Sequence, residues 1–242
     1  VVLSWSILFL ALASTQCSSL LSAKYEYDEE AYLALDGSAA VYVNASVPAL
    51  VALRGAPLAV DSRARLDRDD VRAFFASPGV TVESVSTSRR DNRRYVHVRL
   101  QVDDIRRLGA TPAFAWSQYS YTRDDRLAVF RQQVGPSAGR DVGDVGWTGK
   151  ELVAFRLHLP SRVPFHNAPS REIERGNIIR WEQPLAERLK GQPVVIEVHM
   201  EPDSILVQTL VLFALTAAAA LVTMGLAVWW VVRRKGANLA SQ

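Results

Sequence analysis

Cysteine is nearly absent from this chain of 242 residues, since Cys17 is the only one, so no disulfide can form within it and no cysteine-built metal site exists. Packing alone must hold its folded part together. Histidine is scarce too, and His97, His158, His166 and His199 include no pair at metal-ligand helical spacing. Neither a metal nor a cofactor is expected. Glycine-rich phosphate loops are missing: Gly143, Gly146 and Gly149 match neither phosphate-binding fingerprint, and the stretch 135–149 reads as a flexible connection. No low-complexity tract appears, and no repeat at the periods of solenoids or propellers. The chain also lacks an excess of charge where it would matter. All 25 acidic residues fall within 24–204, and three of the 28 basic ones are Arg233, Arg234 and Lys235, which leaves that region neutral. Nucleic-acid binding, which needs a basic face on the domain itself, is therefore not expected.

What the chain has is one long apolar run near its end. From Ile205 onward, residues 205–232 contain no charged side chain. As a helix such a run spans about 42 Å at 1.5 Å per residue, against a hydrocarbon core of about 30 Å, so a transmembrane helix is expected. Trp229 and Trp230 sit where an interfacial belt belongs, and Arg233, Arg234 and Lys235 follow at once. Basic residues flanking a span stay on the cytoplasmic side, so 233–242 reads as a cytoplasmic tail and 24–204 as an extracytoplasmic domain of the cell envelope. Residues 1–23 read as a signal peptide or leader, with an apolar stretch over 5–13 that ends in an A-x-A site at 11–13 and a second acceptable cleavage place near Ala23. Cys17 stands where a lipoprotein carries its acylated cysteine, but Gln16 precedes it where a lipobox wants a small residue, so acylation is not expected.

Between leader and span the dominant period is two, and the reading is an α+β domain, mainly antiparallel hairpins with a few covering helices. A first hairpin, 25–35 with 39–47, is expected around a type I′ turn at Asp36-Gly37. Residues 48–60 leave a short helix or a loop open. Asp67 opens a helix to about Ala76, with Val71, Phe74 and Phe75 on one stripe. A second hairpin, 80–88 with 94–102, turns at Asp91-Asn92, and a helical turn follows over 103–108. A third, 113–122 with 126–134, turns at Asp124-Asp125. Further strands are expected near 151–159, 177–182 and 193–200.

The segment 154–185 reads AFRLHLPSRVPFHNAPSREIERGNIIRWEQPL. It carries Pro160 after an apolar strand, Asn167, a Gly176-Asn177 turn, and Trp181 four residues beyond that turn. With these residues, and in its order of leader, β-rich domain and anchor, the chain resembles the LppM-type family of exported bacterial domains with a C-terminal span. That resemblance implies a lipid-binding type of fold and a lipid or glycolipid ligand held near the membrane. Trp116, Tyr119, Tyr121, Phe130 and Trp181 supply aromatic surface to line such a pocket, although buried rings of this kind are also ordinary core. No catalytic residues are assigned. The expected function is non-enzymatic binding at the cell envelope, with the bilayer and a lipid or glycolipid as partners. Two alternatives stand beside it. One is an interaction module for another envelope protein, served by the small residues 217–220 and Gly225 in the span. The other is an exported hydrolase, which would need an activated nucleophile beside one of the histidines.

Overall fold

The computed structural model describes residues 24–203 and 205–239; the leader region with Cys17 and the end of the tail lie outside the described residues. Among the described residues, ten strands form two sheets. β1 (Tyr25–Leu33), β2 (Ala39–Ser46), β3 (Val80–Arg90), β4 (Arg93–Val102), β7 (Leu152–His158) and β9 (Ile178–Pro184) make a six-stranded sheet in the order β3-β4-β2-β1-β7-β9. β5 (Ser117–Arg123), β6 (Ala128–Val134), β8 (Phe165–His166) and β10 (Val194–Met200) make a four-stranded one, ordered β5-β6-β10-β8. Every pairing is antiparallel except β1 with β7. The fold is α+β.

Alternation decides which face of each strand meets the core. Val96, Val98, Leu100 and Val102 of β4 are buried, while Arg99 and Gln101 face solvent. Tyr27, Ala31 and Leu33 of β1 and Ala128, Phe130 and Val134 of β6 join them in one hydrophobic core that runs from Tyr27 to Met200. The inner face of the larger sheet meets the smaller sheet and two helices. α1 (Val47–Arg54) is buried at all eight positions. The Ser46 hydroxyl caps its start by accepting from Ala49 N at 3.2 Å, and Gly55 ends it in left-handed backbone at φ +69°. This resolves 48–60, open in the sequence, into a helix followed by extended chain. α2 (Arg68–Phe75) is capped by Asp67 and buries Val71, Phe74 and Phe75, the stripe expected of it.

The β3–β4 hairpin turns where expected, and the others depart from expectation in part. Asp91 and Asn92 both have positive φ (+49° and +58°), the backbone a two-residue type I′ turn requires, and β3 and β4 reach to it at Arg90 and Arg93. The first hairpin does not turn that way. Of Asp36 and Gly37 only Gly37 has positive φ, the strands part at Leu33 and Ala39, and five residues form the loop. The cause is local: Asp36 Oδ1 accepts from the backbone N and the hydroxyl of Ser38, at 2.9 and 2.7 Å, and this widens the turn. The third hairpin begins later than expected, because Pro112–Phe114 wind into a 3-10 turn and β5 starts at Ser117. The helical turn expected over 103–108 is a 3-10 turn at Ile105–Ala110, capped by Asp104. β8 and the short α3 (Leu185–Leu189) had no counterpart in the sequence reading.

After Met200, α4 (Ile205–Leu239) leaves the domain. Its stretch Thr209–Trp230 is long and apolar enough to cross a membrane, and none of it is buried against the rest of the chain. Phe213 is 71% exposed and Trp230 50%. Thr216 and Thr223 return their hydroxyls to carbonyls one turn back, so neither of these two hydroxyls is left free in the stretch.

Candidate functional site

The inner faces of the two sheets are not wholly apolar. Glu29 occupies the core phase of β1, between Tyr27 and Ala31, and Gln132 occupies that of β6, between Phe130 and Val134. Arg54, the last residue of α1, points into the same space. The Arg54 guanidinium lies 2.6 Å from Glu29 Oε2, with both side chains almost wholly buried. It also donates to the Tyr27 hydroxyl and, at 2.7 Å, to the carbonyl of Ala113. Tyr27 donates to Glu29 Oε2 at 2.6 Å. From the other sheet, Gln132 donates to Glu29 Oε1 at 2.9 Å, and the Tyr119 hydroxyl reaches it at 3.4 Å. One carboxylate thus collects donors from α1 and both sheets, a polar tie across the core.

Trp116 lies against this tie. The Arg54 guanidinium carbon sits 3.6 Å from its ring centre and that of Arg188, from α3, 4.9 Å. Arg188 is fully buried and donates to the carbonyls of Gln192 and Gly135. Burial dominates the electrostatics. It pushes the Glu29 carboxyl up to about 7, against the pull of the Gln132 and Tyr119 hydrogen bonds. It draws Arg54 well below its ordinary value and Arg188 down to about 10, and it drives the Tyr119 phenol well up. Burial thus disfavours the charged forms of both Glu29 and Arg54, so their contact works against a large desolvation cost.

Of the aromatic residues named from sequence, only Trp116 and Tyr119 belong to this cluster. Tyr121 is buried and donates to the Leu35 carbonyl at 2.8 Å, where it borders a shallow cleft with Arg106 and Arg123. Phe130 is buried in the core, and Trp181 is buried with its indole N–H donating to Asn167 Oδ1 at 3.0 Å. Asn167 and Asn177 are structural ties. Asn167 also accepts from Glu197 N and donates to the Val195 carbonyl, both at 2.9 Å, so it braces β9 of one sheet to β10 of the other. Gly176 and Asn177 both have positive φ, and the Asn177 amide donates to the Ser161 carbonyl at 2.9 Å, beside Pro160. A cleft of about 730 Å³ lies elsewhere, among Lys24, Pro48, Val60, Asp61, Asn92 and Arg93.

The histidines do not converge. His97 and His158 share the outer face of the larger sheet with β2 and β1 between their strands, about 14 Å at the usual strand spacing, while His199 lies on the other sheet. Among the described residues no group of histidine, cysteine or carboxylate side chains is arranged to hold a metal ion. The sequence signal for Glu29 and Gln132 existed: each is a polar residue in the buried phase of its strand. Glu29 is masked by Glu26, Asp28 and Glu30 around it, which blur the alternation of polar and apolar residues along β1.

No protein-family model matches the chain, and no curated protein matches it. Among solved structures, it is similar to the folded domain of the LppM protein of Mycobacterium tuberculosis, over 76% of this chain and 94% of that one, at 12% identity and a TM-score of 0.39.

Proposed function

We propose that the chain is a membrane-anchored domain held on the extracytoplasmic side of a cell envelope, where it binds a lipid or glycolipid. The observation that carries the anchoring is the apolar stretch Thr209–Trp230, unburied by the rest of the chain and beginning nine residues after the last strand residue, Met200. Burying such a surface in lipid satisfies the hydrophobic effect, and the helix satisfies its own backbone. The orientation follows from Arg233, Arg234 and Lys235 on the far side of the stretch. The ligand class is supported by the cleft of about 730 Å³, which is of ligand size. Its lining mixes Lys24, Arg93, Asn92 and the carboxylates Asp61, Asp91 and Asp144 with Pro48, Val60 and Val142, and this suits a polar headgroup with the first part of its chain better than a buried acyl tail.

The experiment is to express the full chain, extract membranes with alkaline carbonate, purify the protein in mild detergent and analyse co-purified lipid by mass spectrometry. The reading expects the chain to stay in the carbonate pellet and to carry a polar-headed lipid that Arg93→Ala releases. A chain released by carbonate overturns the anchor. A pelleted chain without specific lipid overturns the ligand and favours an interaction module.

A further inference from the structure

On the outer face of the larger sheet, a hydroxyl, an imidazole and an amide from three adjacent strands form a chain of hydrogen bonds. Ser88 Oγ on β3 lies 2.8 Å from His97 Nε2 on β4, and His97 Nδ1 lies 2.9 Å from Asn44 Oδ1 on β2. The register produces this order. Asn44 stands opposite His97 across one pair, and Ser86 stands opposite it across the other, so Ser88 is its diagonal neighbour two residues on.

The contacts fix the tautomer. An amide oxygen only accepts, so Nδ1 carries the ring proton and Nε2 keeps its lone pair, which faces the Ser88 hydroxyl. Burial and the charge of Arg90 hold His97 below its ordinary 6.5, so the ring is neutral and basic at neutral pH. Polar pairs across strands are ordinary on a wet sheet face. The order hydroxyl, basic nitrogen, orienting acceptor is the one a nucleophile with its base requires. Ser88 is exposed near the end of an edge strand, so a reactant reaches it without entering a pocket.

We propose that Ser88 is a base-activated nucleophile that accepts the acyl group of an ester, with His97 as general base and Asn44 as a positioning residue. Ser88 Oγ bonds to the acyl carbon while its proton passes to His97 Nε2. The bond to the leaving oxygen then breaks, and that oxygen departs as an alcohol with the proton from Nε2. A water from solvent adds to the acyl carbon in turn and gives a proton to His97. The bond to Ser88 Oγ breaks, Oγ takes that proton, and a carboxylic acid is released. The substrates that fit an open face are small or surface-presented esters of good leaving alcohols. Arg90 donates to the Tyr25 carbonyl and the Tyr95 hydroxyl at 2.8 Å each, so its positive charge is held in place beside the site. The activity is independent of whichever ligand the domain binds.

The test exposes the detergent-purified full chain to p-nitrophenyl acetate and follows acetylation by peptide mass mapping, with exposed Ser120 as the internal reference. Ser88 is expected to acetylate fastest, and His97→Gln to slow it about 100-fold or more. The rate should rise with pH through a midpoint below 6.5, and Asn44→Asp should move that midpoint upward, since an anion at Nδ1 favours the imidazolium. Circular dichroism of each variant confirms that the sheet is retained. Acetylation of Ser88 no faster than of Ser120, or unchanged in a folded His97→Gln, overturns the proposal.

Discussion

Replacing Glu29 by Gln should flatten part of the dependence of stability on pH. The carboxyl is wholly buried and burial lifts it from an ordinary 4.5 to about 7. The folded state therefore holds the Glu29 proton more tightly than the unfolded state does. Its contribution is fully present below pH 4.5, declines between 4.5 and about 7, and is gone above. At 1.36 kcal/mol per pH unit, that gap is worth roughly 3 kcal/mol. A glutamine cannot titrate, so the variant lacks this slope. Turning one acceptor into a donor beside Arg54 and Tyr27 adds a loss of about 1–3 kcal/mol that does not vary with pH. The fragment 24–203 suits the assay, because every residue of the core cluster lies between Tyr27 and Met200. Urea unfolding of both proteins at intervals from pH 4 to pH 8 gives the difference in stability, in which all other groups cancel. Wild type should lose roughly 3 kcal/mol relative to the variant across that window. Parallel curves would refute the account of a raised carboxyl. A difference of the opposite sign would mean that Arg54 outweighs burial and holds the carboxyl down.

Other substitutions test the framework. Asn167→Ala removes the acceptor for Trp181 Nε1 and Glu197 N and the donor to the Val195 carbonyl, and should lower the stability of the fragment by about 2–4 kcal/mol in urea unfolding. Gly109→Ala would put a Cβ 2.7 Å from the Ser117 carbonyl oxygen, which is backbone and cannot swing away, so a loss of about 1–3 kcal/mol by the same measurement is expected. Asn177→Gly keeps the left-handed backbone at φ +57° but loses the bond to the Ser161 carbonyl, so its thermal midpoint should fall less than that of Asn177→Val, which loses both.

Elements set by local chemistry were legible in the sequence. The β3–β4 turn follows from two residues that tolerate left-handed backbone, α2 from its cap and apolar stripe, and the exposed helix from its uninterrupted apolar run. Features that depend on distant partners were not. The parallel pairing of β1 with β7 joins Asp28 to Ala154, and no local period announces a contact across so much chain. The split into two sheets rests on the same kind of long-range pairing. The Glu29–Arg54 tie escaped for a related reason: Arg54 ends a helix, where a cation is ordinarily satisfied by the dipole and solvent, and only the second sheet closes over it. The turn at Asp36-Gly37 failed locally, because a side chain that favours turns bonded onward to Ser38 and opened the loop.

Sidedness is the most direct test of the anchored reading. An epitope tag placed after Gln242 and another placed in the loop 135–149 are exposed to protease added to intact cells, and again after the cells are broken. The account predicts that the loop tag is lost from intact cells while the C-terminal tag survives until breakage. Loss of the C-terminal tag from intact cells, or survival of both until breakage, would contradict it.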